Sequence, residues 1–480
     1  MNAAPRTHHN VTFIVLAAGV SAYALLQSLV VPVLTTVQAQ FHTSQANATW
    51  VLTAYLVAAS VFTPIMGRIG DMIGKERVFV ATLVALAVGS LLGALAHSFA
   101  LLVVARVVQG VGGGVLPLAF GIIRDEFPRD KVVAAISSLA TLVGVGSGIG
   151  IVLAGPIVNG LGFAWLFWFP LMLTVAAAVA AVLFVPESPV RTPGRISIVP
   201  AVLLSAWLVA LLVALSEAPV WGWGSGRVLG LFAVAVVLAV AWVASENRVA
   251  VPLVDMKMMR HKPVWTTNIA ALLVGLGMYS MMAFLPEFLQ TPSSAGYGFG
   301  ASITESGLIL LPASVTMFIV GQYVGRLTAR VGAKALVVAG GVISAISMVG
   351  FALLNDQKWE MYVGTGLFGI GIGLAFSSMS ALIVEAVPAE QTGVASGMNA
   401  NIRTIGGSIG SALMASIVTA HVQPSGLPNG SGYTAGFLML AGGLAVAALA
   451  GLIIPVVRRA DGADEVVAAA TAQATDGVPA

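Results

Sequence analysis

The stretch GRIGDMIGK at residues 67–75 recurs in altered form as GRLTARVGA at residues 325–333. Both copies follow an apolar segment and place glycines and a basic residue at matching positions. A proline and two glycines farther along the chain recur at nearly the same distance: Pro128, Gly146 and Gly150 in the first copy, and Pro388, Gly406 and Gly410 in the second. Two separate sets of landmarks therefore indicate an internal repeat.

The segments around these motifs are too apolar for a soluble domain. Of the 480 residues, 58% are hydrophobic, 9% are charged and none is cysteine, whereas a soluble domain carries about a quarter charged residues. Because a membrane-spanning helix needs about 20 apolar residues, the sequence predicts fourteen such helices. They span residues 11–37, 48–66, 78–97, 100–123, 132–157, 163–185, 196–215, 226–244, 264–289, 303–324, 335–354, 361–384, 392–421 and 433–457.

The repeat organises these segments into an all-α polytopic membrane protein with two six-helix halves and two inserted helices. Parallel six-helix halves are one recognised transporter architecture, in which the substrate binds near the membrane midplane between the halves. The predicted organisation is a cytoplasmic tail at 1–10, an N-terminal bundle at 11–185, two inserted transmembrane helices at 196–244, a C-terminal bundle at 264–457 and a disordered cytoplasmic tail at 458–480.

The placement of basic residues supports fourteen helices. Short cytoplasmic loops hold the excess of Lys and Arg in membrane proteins, and with both termini inside, 18 of the 22 Lys and Arg residues fall on that side. Arg227 and Lys358 fall outside, and Arg106 and Arg403 lie within predicted helices. The first segment resembles a signal peptide with a cleavage-like site after Ala39, but its apolar run exceeds the ~7–15 residues of such peptides. We therefore expect a retained helix.

Several motifs carry a resemblance to a known family. They are the loop motif at 67–77, WVLTAY at 50–55, RVVQG at 106–110, and GVASG at 393–397 with Arg403 and the glycine pair at 406–407. On these motifs the chain is identified as a member of the major facilitator superfamily, and it is similar to the fourteen-helix drug:proton antiporters of EmrB/QacA type.

The resemblance implies a major facilitator fold and a proton-coupled multidrug efflux transporter of the plasma membrane. Such a protein would export amphiphilic drugs, antibiotics or related metabolites by alternating access. We expect a monomer whose partners are the small-molecule substrate, protons and the lipid bilayer, with the proton gradient in place of a cofactor. Two features depart from the family. Tyr23 stands where exporters of cationic drugs often carry an acid, which favours neutral, zwitterionic or weakly charged substrates. Pro156 is displaced from its usual place in the antiporter signature.

The loop motif is predicted to form a conformational latch made by Gly67, Arg68, Asp71 and Gly74. The glycines permit a tight turn and a close backbone approach, and the basic residues anchor the turn on the inner face. The resemblance implies that Asp71 docks the first half against the start of the thirteenth helix near Gly393. Because Ala329 replaces the acid in the second copy, only the first half carries this group. The alternative is a solvated charge in a basic loop.

Proton coupling is expected to involve an arginine and a carboxylate. Arg106 lies three residues before Gln109 on one helix face, and a guanidinium within a membrane helix faces a cavity or a partner. The resemblance assigns Arg106 to proton coupling, while a purely structural role remains the alternative. Glu287 and Glu305 are the candidate carboxylates, although both lie toward the outer boundary, where each could instead reach water or cap a helix.

The candidate cavity residues combine polar and adaptable apolar side chains. Met and aromatic side chains offer a soft surface for varied amphiphiles, although lipid contact or helix packing is the common alternative. The set is Tyr23, Gln27, Gln109, Met278, Met282 and Phe284.

Other classes of function lack their motifs. The sequence has no pattern typical of a hydrolase or a metal site, and Glu76 follows Gly74-Lys75 where a phosphate-binding loop needs Ser or Thr. No basic domain favours nucleic-acid binding. An enzyme is therefore not expected. A facilitator or metabolite exporter of narrow specificity, or a non-transporting membrane sensor on the same fold, stays open.

Overall fold

The computed structural model describes residues 9–43, 45–188, 197–249, 251–421, 423 and 427–455. The tail predicted at 458–480 and most of the tail at 1–10 lie outside the described residues. The first half consists of α1 (His9–Leu29), α2 (Leu34–Phe41), α3 (Gln45–Ile73), α4 (Lys75–Ala94), α5 (Phe99–Gly110), α6 (Val115–Glu126), α7 (Arg129–Leu161) and α8 (Trp165–Phe184).

The remaining helices form the insertion and the second half. The inserted pair is α9 (Ile198–Trp221) and α10 (Gly226–Glu246). The second half consists of α11 (Met256–Arg260), α12 (Lys262–Gln290), α13 (Ile303–Val331), α14 (Ala333–Leu353), α15 (Lys358–Ala386), α16 (Thr392–Val418) and α17 (Gly430–Gly451). A 3₁₀ turn at Val111–Gly114 joins α5 and α6 into one segment, which matches the single helix predicted there.

Thirteen of the predicted segments are long and apolar enough to cross a membrane, judged by length and composition over the described residues. The fourteenth, α16, has 27 residues but carries Asn399, Asn401 and Arg403. All three side chains are buried within the bundle. Polar groups inside a membrane are tolerated where they face protein or a cavity, so α16 is a member of the bundle that hydropathy alone undervalues.

The structure corrects the predicted loops that carry the repeated motif. The first copy is largely helical, because α3 continues to Ile73 and the chain reverses at Gly74 alone, where φ is +121°. The second copy behaves alike, since α13 continues to Val331 and Gly332 has φ of +83°. This left-handed region is open to glycine without steric cost. The predicted first segment is also interrupted, by a 3₁₀ turn at Val31–Val33.

Glycine pairs pack the helices in the same way in both halves. A Cβ on Gly146 or Gly150 of α7 would collide with α1, and a Cβ on Gly406 or Gly410 of α16 would collide with α12. Small residues four apart allow such close helix contacts in membranes. The glycine pairs are therefore sites of close helix contact, and their equivalent positions in the two halves reflect the repeat.

The two halves meet along α7 and α13 on one side and along α3 and α16 on the other. The end of the bundle where Asp71 approaches Gly393 is called the Asp71 end below. Inserted helix α9 contacts both α3 and α16, and α10 packs on α9. Exposed apolar side chains on α10, including Val236, Val237 and Val240, suit a surface that faces lipid.

Candidate functional site

A central cavity of about 390 Å³ lies between the two halves. Its walls come from α1, α3, α5 and α7 of the first half, from α12, α13, α15 and α16 of the second, and from α9. Most of the lining is apolar, and the volume falls in the range of small-molecule sites in proteins. A smaller cavity of about 50 Å³ adjoins it and shares several lining residues, including Gln27, Tyr55, Met278, Tyr279 and Phe376.

The structure places most of the predicted cavity residues in these two cavities. Gln27, Met278, Met282 and Phe284 line the central cavity. Tyr23 lines the smaller one. Gln109 does not line either cavity in this conformation. Its side chain is fully buried, accepts a hydrogen bond from Arg106 on the same helix and donates one to Ser90 on α4.

Arg106 is positioned by contacts with α3 and with Gln109 on its own helix. Its Nε donates to the carbonyl of Val51 on α3 (3.0 Å), and its Nη1 donates to Oε1 of Gln109 (2.7 Å). Gln109 Nε2 in turn donates to Ser90 Oγ on α4 (3.2 Å). The guanidinium lies 4.3 Å from the ring centroid of Tyr55. The spacing of three residues between Arg106 and Gln109 thus brings the two side chains into contact, and the rigid fork of the guanidinium is held facing the cavity.

Arg403 is a second buried guanidinium near the same space. It lines the smaller cavity and lies 4.2 Å from the ring centroid of Phe376 on α15. Tyr279 and Tyr23 are the ionisable groups beside it. The sequence analysis did not include Arg403 among the candidate coupling or cavity residues. A cation within a predicted membrane helix was the available signal.

The two candidate carboxylates lie away from both cavities, at the end of the bundle opposite Asp71. Glu305 opens α13 and pairs with Lys358 Nζ at 2.6 Å, with 37% of its side chain exposed. Glu287 lies near the end of α12 beside Tyr433, and its side chain is exposed. Among the described residues that line the two cavities, none is acidic.

Helix α9 contributes to the cavity, which the sequence did not predict. Leu212, Leu215, Ser216 and Pro219 of α9 are among the lining residues. Ser216 Oγ and Thr53 Oγ1 of α3 form a hydrogen bond of 3.0 Å. Helix α9 of the inserted pair is thus part of the cavity wall, at the gap between α3 and α16.

At the Asp71 end, the halves are joined through the start of α16. Asp71 accepts hydrogen bonds from the backbone amides of Gly393 (3.3 Å) and Val394 (3.2 Å). An anion at this position complements the unpaired amides and the positive end of the helix dipole. A Cβ on Gly67 would collide with the carbonyl of Gly393, so the two glycines permit the close approach of α3 to α16.

Basic residues surround this contact. Lys75 is fully buried and pairs with Asp125 at 2.7 Å and with Asp71 at 3.7 Å. Arg124 at the end of α6 donates to Thr392 Oγ1 (2.8 Å) and to the carbonyl of Val384 (2.5 Å). The sequence analysis did not identify Arg124, since its partners lie more than 250 residues away and no local spacing marks them.

Arg68 and Gly74, the other predicted latch residues, flank Asp71. Arg68 is buried and lies near Asp71 and near Glu246 at the end of α10. Glu246 accepts hydrogen bonds from the amides of Leu253 (2.9 Å) and Val254 (3.1 Å), which ties the inserted pair to the start of the second half. Gly74 makes the turn into α4. The latch residues thus lie together in one place.

Comparisons with known proteins agree with this architecture. A family model described as Major Facilitator Superfamily matches residues 16–411 and 267–475. A tetracenomycin C resistance and export protein of Streptomyces glaucescens is 29% identical over 420 residues, which cover 86% of this chain and 76% of that protein. The multidrug transporter protein MdtP of Bacillus subtilis is 27% identical over 380 residues, covering 78% and 69%.

Two further matches extend the comparison. A multidrug resistance protein B homolog of Mycobacterium tuberculosis is 28% identical over 401 residues, covering 81% of this chain and 72% of that protein. Among solved structures, the human organic anion transporter MFSD10 (TETRAN) superposes with a TM-score of 0.69 at 16% identity, covering 93% of this chain and all of that one. At this identity the structural match supports the fold alone.

Proposed function

Because the chain belongs to the major facilitator superfamily, we propose that it exports amphiphilic small molecules, such as drugs, antibiotics or related metabolites, by proton-coupled alternating access. Relatives with 27–29% identity are named for multidrug resistance or antibiotic export. The family is one of transporters, and no enzymatic activity is part of the proposal.

The observation that carries the proposal is the central cavity between two halves that are bonded to each other at the Asp71 end. Alternating access requires a site between two bodies that rock about it. It also requires contacts that form in one state and break in the other. The bonds from Asp71 to the start of α16 are suited to this role, because they join the halves without crossing the cavity.

In the proposed orientation, the Asp71 end faces the cytoplasm of a plasma membrane and both termini are cytoplasmic. The structure then corresponds to a state closed toward the cytoplasm. Substrate would enter after the latch opens, and it would leave from the opposite side after the latch has formed again. The partners are the substrate, protons and lipid. A monomer that binds no nucleic acid and needs no cofactor beyond the proton gradient is sufficient for this cycle.

Proton coupling is assigned to Arg106 together with Glu287 or Glu305. Both carboxylates lie at the end opposite Asp71 and are accessible there, so they would exchange protons with the outer medium. Arg106 faces the cavity from a helix that contacts α3. We propose that its interactions change as the halves move, which would link substrate occupancy to proton uptake.

The test is substrate-induced proton movement in proteoliposomes that contain the full-length chain. A panel of lipophilic cations, neutral antibiotics and organic acids is added against an imposed pH gradient. Proton release on addition of a panel member, lost in Arg106→Ala, supports antiport. Arg330→Gln, which alters an exposed arginine at the end of α13, serves as the matched control and should behave as the wild type.

The other results separate the remaining functions. Flux of a panel member without proton movement contradicts coupling and indicates a facilitator. Saturable binding with neither flux nor proton movement contradicts transport and indicates a membrane sensor on the same fold.

A further inference from the structure

The two adjoining cavities contain two guanidinium groups and no acid among the described lining residues. Arg106 lines the central cavity, and Arg403 lines the smaller one. The ionisable groups that interact with them are tyrosines: Tyr55 and Tyr23 at Arg106, and Tyr279 and Tyr23 at Arg403. The space between the halves therefore holds positive charge that no neighbouring carboxylate offsets.

Both arginines are withdrawn from water. Arg106 is 0% exposed and Arg403 is 4% exposed. Removing an ion from water is costly unless a counter-charge and hydrogen bonds compensate for it. Aromatic rings beneath the two guanidiniums supply part of that compensation, through cation–π attraction. Cation–π attraction does not neutralise the guanidinium groups, so the site keeps its positive charge.

Each of the two arginines has one buried hydrogen-bond donor without a partner within the described residues. Nη2 of Arg106 and Nε of Arg403 are buried and unpaired, as are the hydroxyl of Tyr55 and the side-chain amide of Asn401. All four side chains line the two cavities. Buried polar groups in folded proteins are nearly always hydrogen-bonded. Their concentration around one space indicates a site for a ligand that accepts hydrogen bonds.

The rest of the lining defines the body of that ligand. Met278, Met282, Phe284 and Phe368 present apolar and aromatic surface to the central cavity. Methionine side chains adapt to ligands of differing shape. A molecule with one hydrogen-bond-accepting end and a flat apolar body fits this combination.

We propose that the cavity selects anionic amphiphiles, and that the carboxylate of such a ligand binds at Arg106 and Arg403 while its apolar body packs against α12 and α15. The inference deepens the proposed export function by naming its substrate class. Arg side chains bind carboxylates through paired, charge-assisted hydrogen bonds. A cation of the same shape would add a like charge to a site without an acid, which disfavours its binding.

The experiment compares three ligands that share one aromatic body: pyrenebutyrate, pyrenebutanol and pyrenebutylamine. At neutral pH their ends are anionic, neutral and cationic. Binding to the full-length chain in lipid nanodiscs is measured at equilibrium, and binding to empty nanodiscs of the same lipid is subtracted. The acid should bind about 10- to 100-fold more tightly than the alcohol, the range expected for hydrogen bonds to a charged group. The amine should bind most weakly.

Variants test where the anion binds. Arg106→Gln and Arg403→Gln should each reduce the preference for the acid over the alcohol, while Arg330→Gln should retain it. Arg106→Lys and Arg403→Lys keep the charge without the planar fork. The Lys variants should show a preference for the acid over the alcohol that is weaker than in the wild type and stronger than in the Gln variants. If the Gln variants do not fold, the Lys variants are compared with the wild type instead.

Equal binding of acid and alcohol by the wild type, or tightest binding of the amine, would overturn the inference. A preference for the acid that both Arg→Gln variants retain would overturn the assignment to these arginines. Because binding is measured without flux, the result is separable from export. Selective binding of the acid without its transport would contradict the export function but support the anion site. Transport of the amine without selective binding of the acid would contradict the anion site but support the export function.

Discussion

Asp71 and Gly393 are 322 residues apart in sequence, yet the carboxylate of Asp71 accepts a hydrogen bond from the Gly393 amide at 3.3 Å. The bond joins the first half of the repeat to the second at the first turn of α16. The second copy of the motif has Ala329 where the first has the acid. The contact is therefore made by one copy only, although the helices that carry the two copies are equivalent.

Replacement of Asp71 by Asn should slow transport without unfolding the protein. The amide retains a hydrogen-bond acceptor but loses the charge that interacts with the helix end, an effect of about 1 kcal/mol. This shifts the balance between states roughly fivefold, so we expect a several-fold loss of transport rate. Transport in vesicles and thermal unfolding of the purified protein measure the two effects. Asp130→Asn, at an exposed acid of α7, is the control, and an unchanged rate in Asp71→Asn would contradict the latch.

Gly67→Ala should keep the two halves apart at the Asp71 end. The added methyl group would occupy the space of the Gly393 carbonyl, and backbone cannot yield as a flexible side chain does. Because the chain has no cysteine, spin labels can be attached to cysteines introduced by Ile73→Cys and Ala329→Cys. Double electron–electron resonance then measures the distance between the two labels. Longer distances are expected in the variant. Gly160→Ala is the control, because a Cβ there meets nothing within 4 Å, and its distance distribution should match that of the wild type. If Gly67→Ala gives the same distance distribution as the wild type and the control, Gly67 is not required for the close approach of α3 to α16.

Loss of Lys75 should destabilise the protein far more than loss of an exposed lysine. Lys75→Met leaves Asp71 and Asp125 without their buried partner, and breaking a buried pair typically costs about 3–5 kcal/mol. Lys358→Met breaks the partly exposed pair with Glu305, for which about 0–1 kcal/mol is typical. Thermal unfolding in one detergent compares them. Adding Asp125→Asn to Lys75→Met should recover part of the loss, and similar melting temperatures for the two single variants would count against the buried pair.

Ser216→Phe should narrow the cavity from the side of the inserted helices. The position lines the cavity and bonds to Thr53, so a large side chain there takes space from the ligand. We expect at least a fivefold loss of binding for the largest ligands of the panel and a smaller loss for the smallest. Val209→Phe, on an exposed face of the same helix, controls for helix insertion. If Ser216→Phe and Val209→Phe bind the largest ligands equally well, α9 does not form part of the ligand-binding cavity.

Substitution of the candidate carboxylates should identify the residue that carries the proton. Glu287→Gln or Glu305→Gln is expected to abolish substrate-induced proton movement, because the amide side chain of glutamine has no titratable group that could take up and release a proton. Fluorescence of a trapped pH indicator in proteoliposomes gives the readout. Glu217→Gln, at a half-buried acid of α9 near the same end, should remain coupled. Intact coupling in both Glu287→Gln and Glu305→Gln would eliminate these two candidates.

The number of helices and their repeat followed from the sequence, because each depends on local properties. About 20 apolar residues are needed to cross a bilayer whatever the neighbouring helices are, and glycine pairs such as Gly146 and Gly150 mark a close contact by their spacing alone. The sequence was less reliable where local signals conflict with packing. The motif around Gly67 and Gly70 resembles a loop in composition, yet it is helical because close packing against neighbouring helices outweighs the low helix propensity of glycine.

Arg106 and Gln109 were paired from their spacing, since residues three apart on a helix are neighbours. Arg403 was identified as an intramembrane cation, but its place beside the same cavity depends on how α16 packs against α12 and α15. Likewise, no local pattern connects Arg124 with Thr392, or Ser216 with Thr53, because each pair joins helices distant in the chain.

The amino-acid sequence by itself thus determined the membrane helices, their duplication and the individual polar residues that are costly in lipid. Only the tertiary structure decided which of those residues share a space: two arginines at adjoining cavities, two carboxylates at one end of the bundle and one aspartate at a helix start. The physical reason is that hydrophobicity and helix periodicity act over a few turns of chain. The electrostatic character of a cavity depends on side chains from helices hundreds of residues apart.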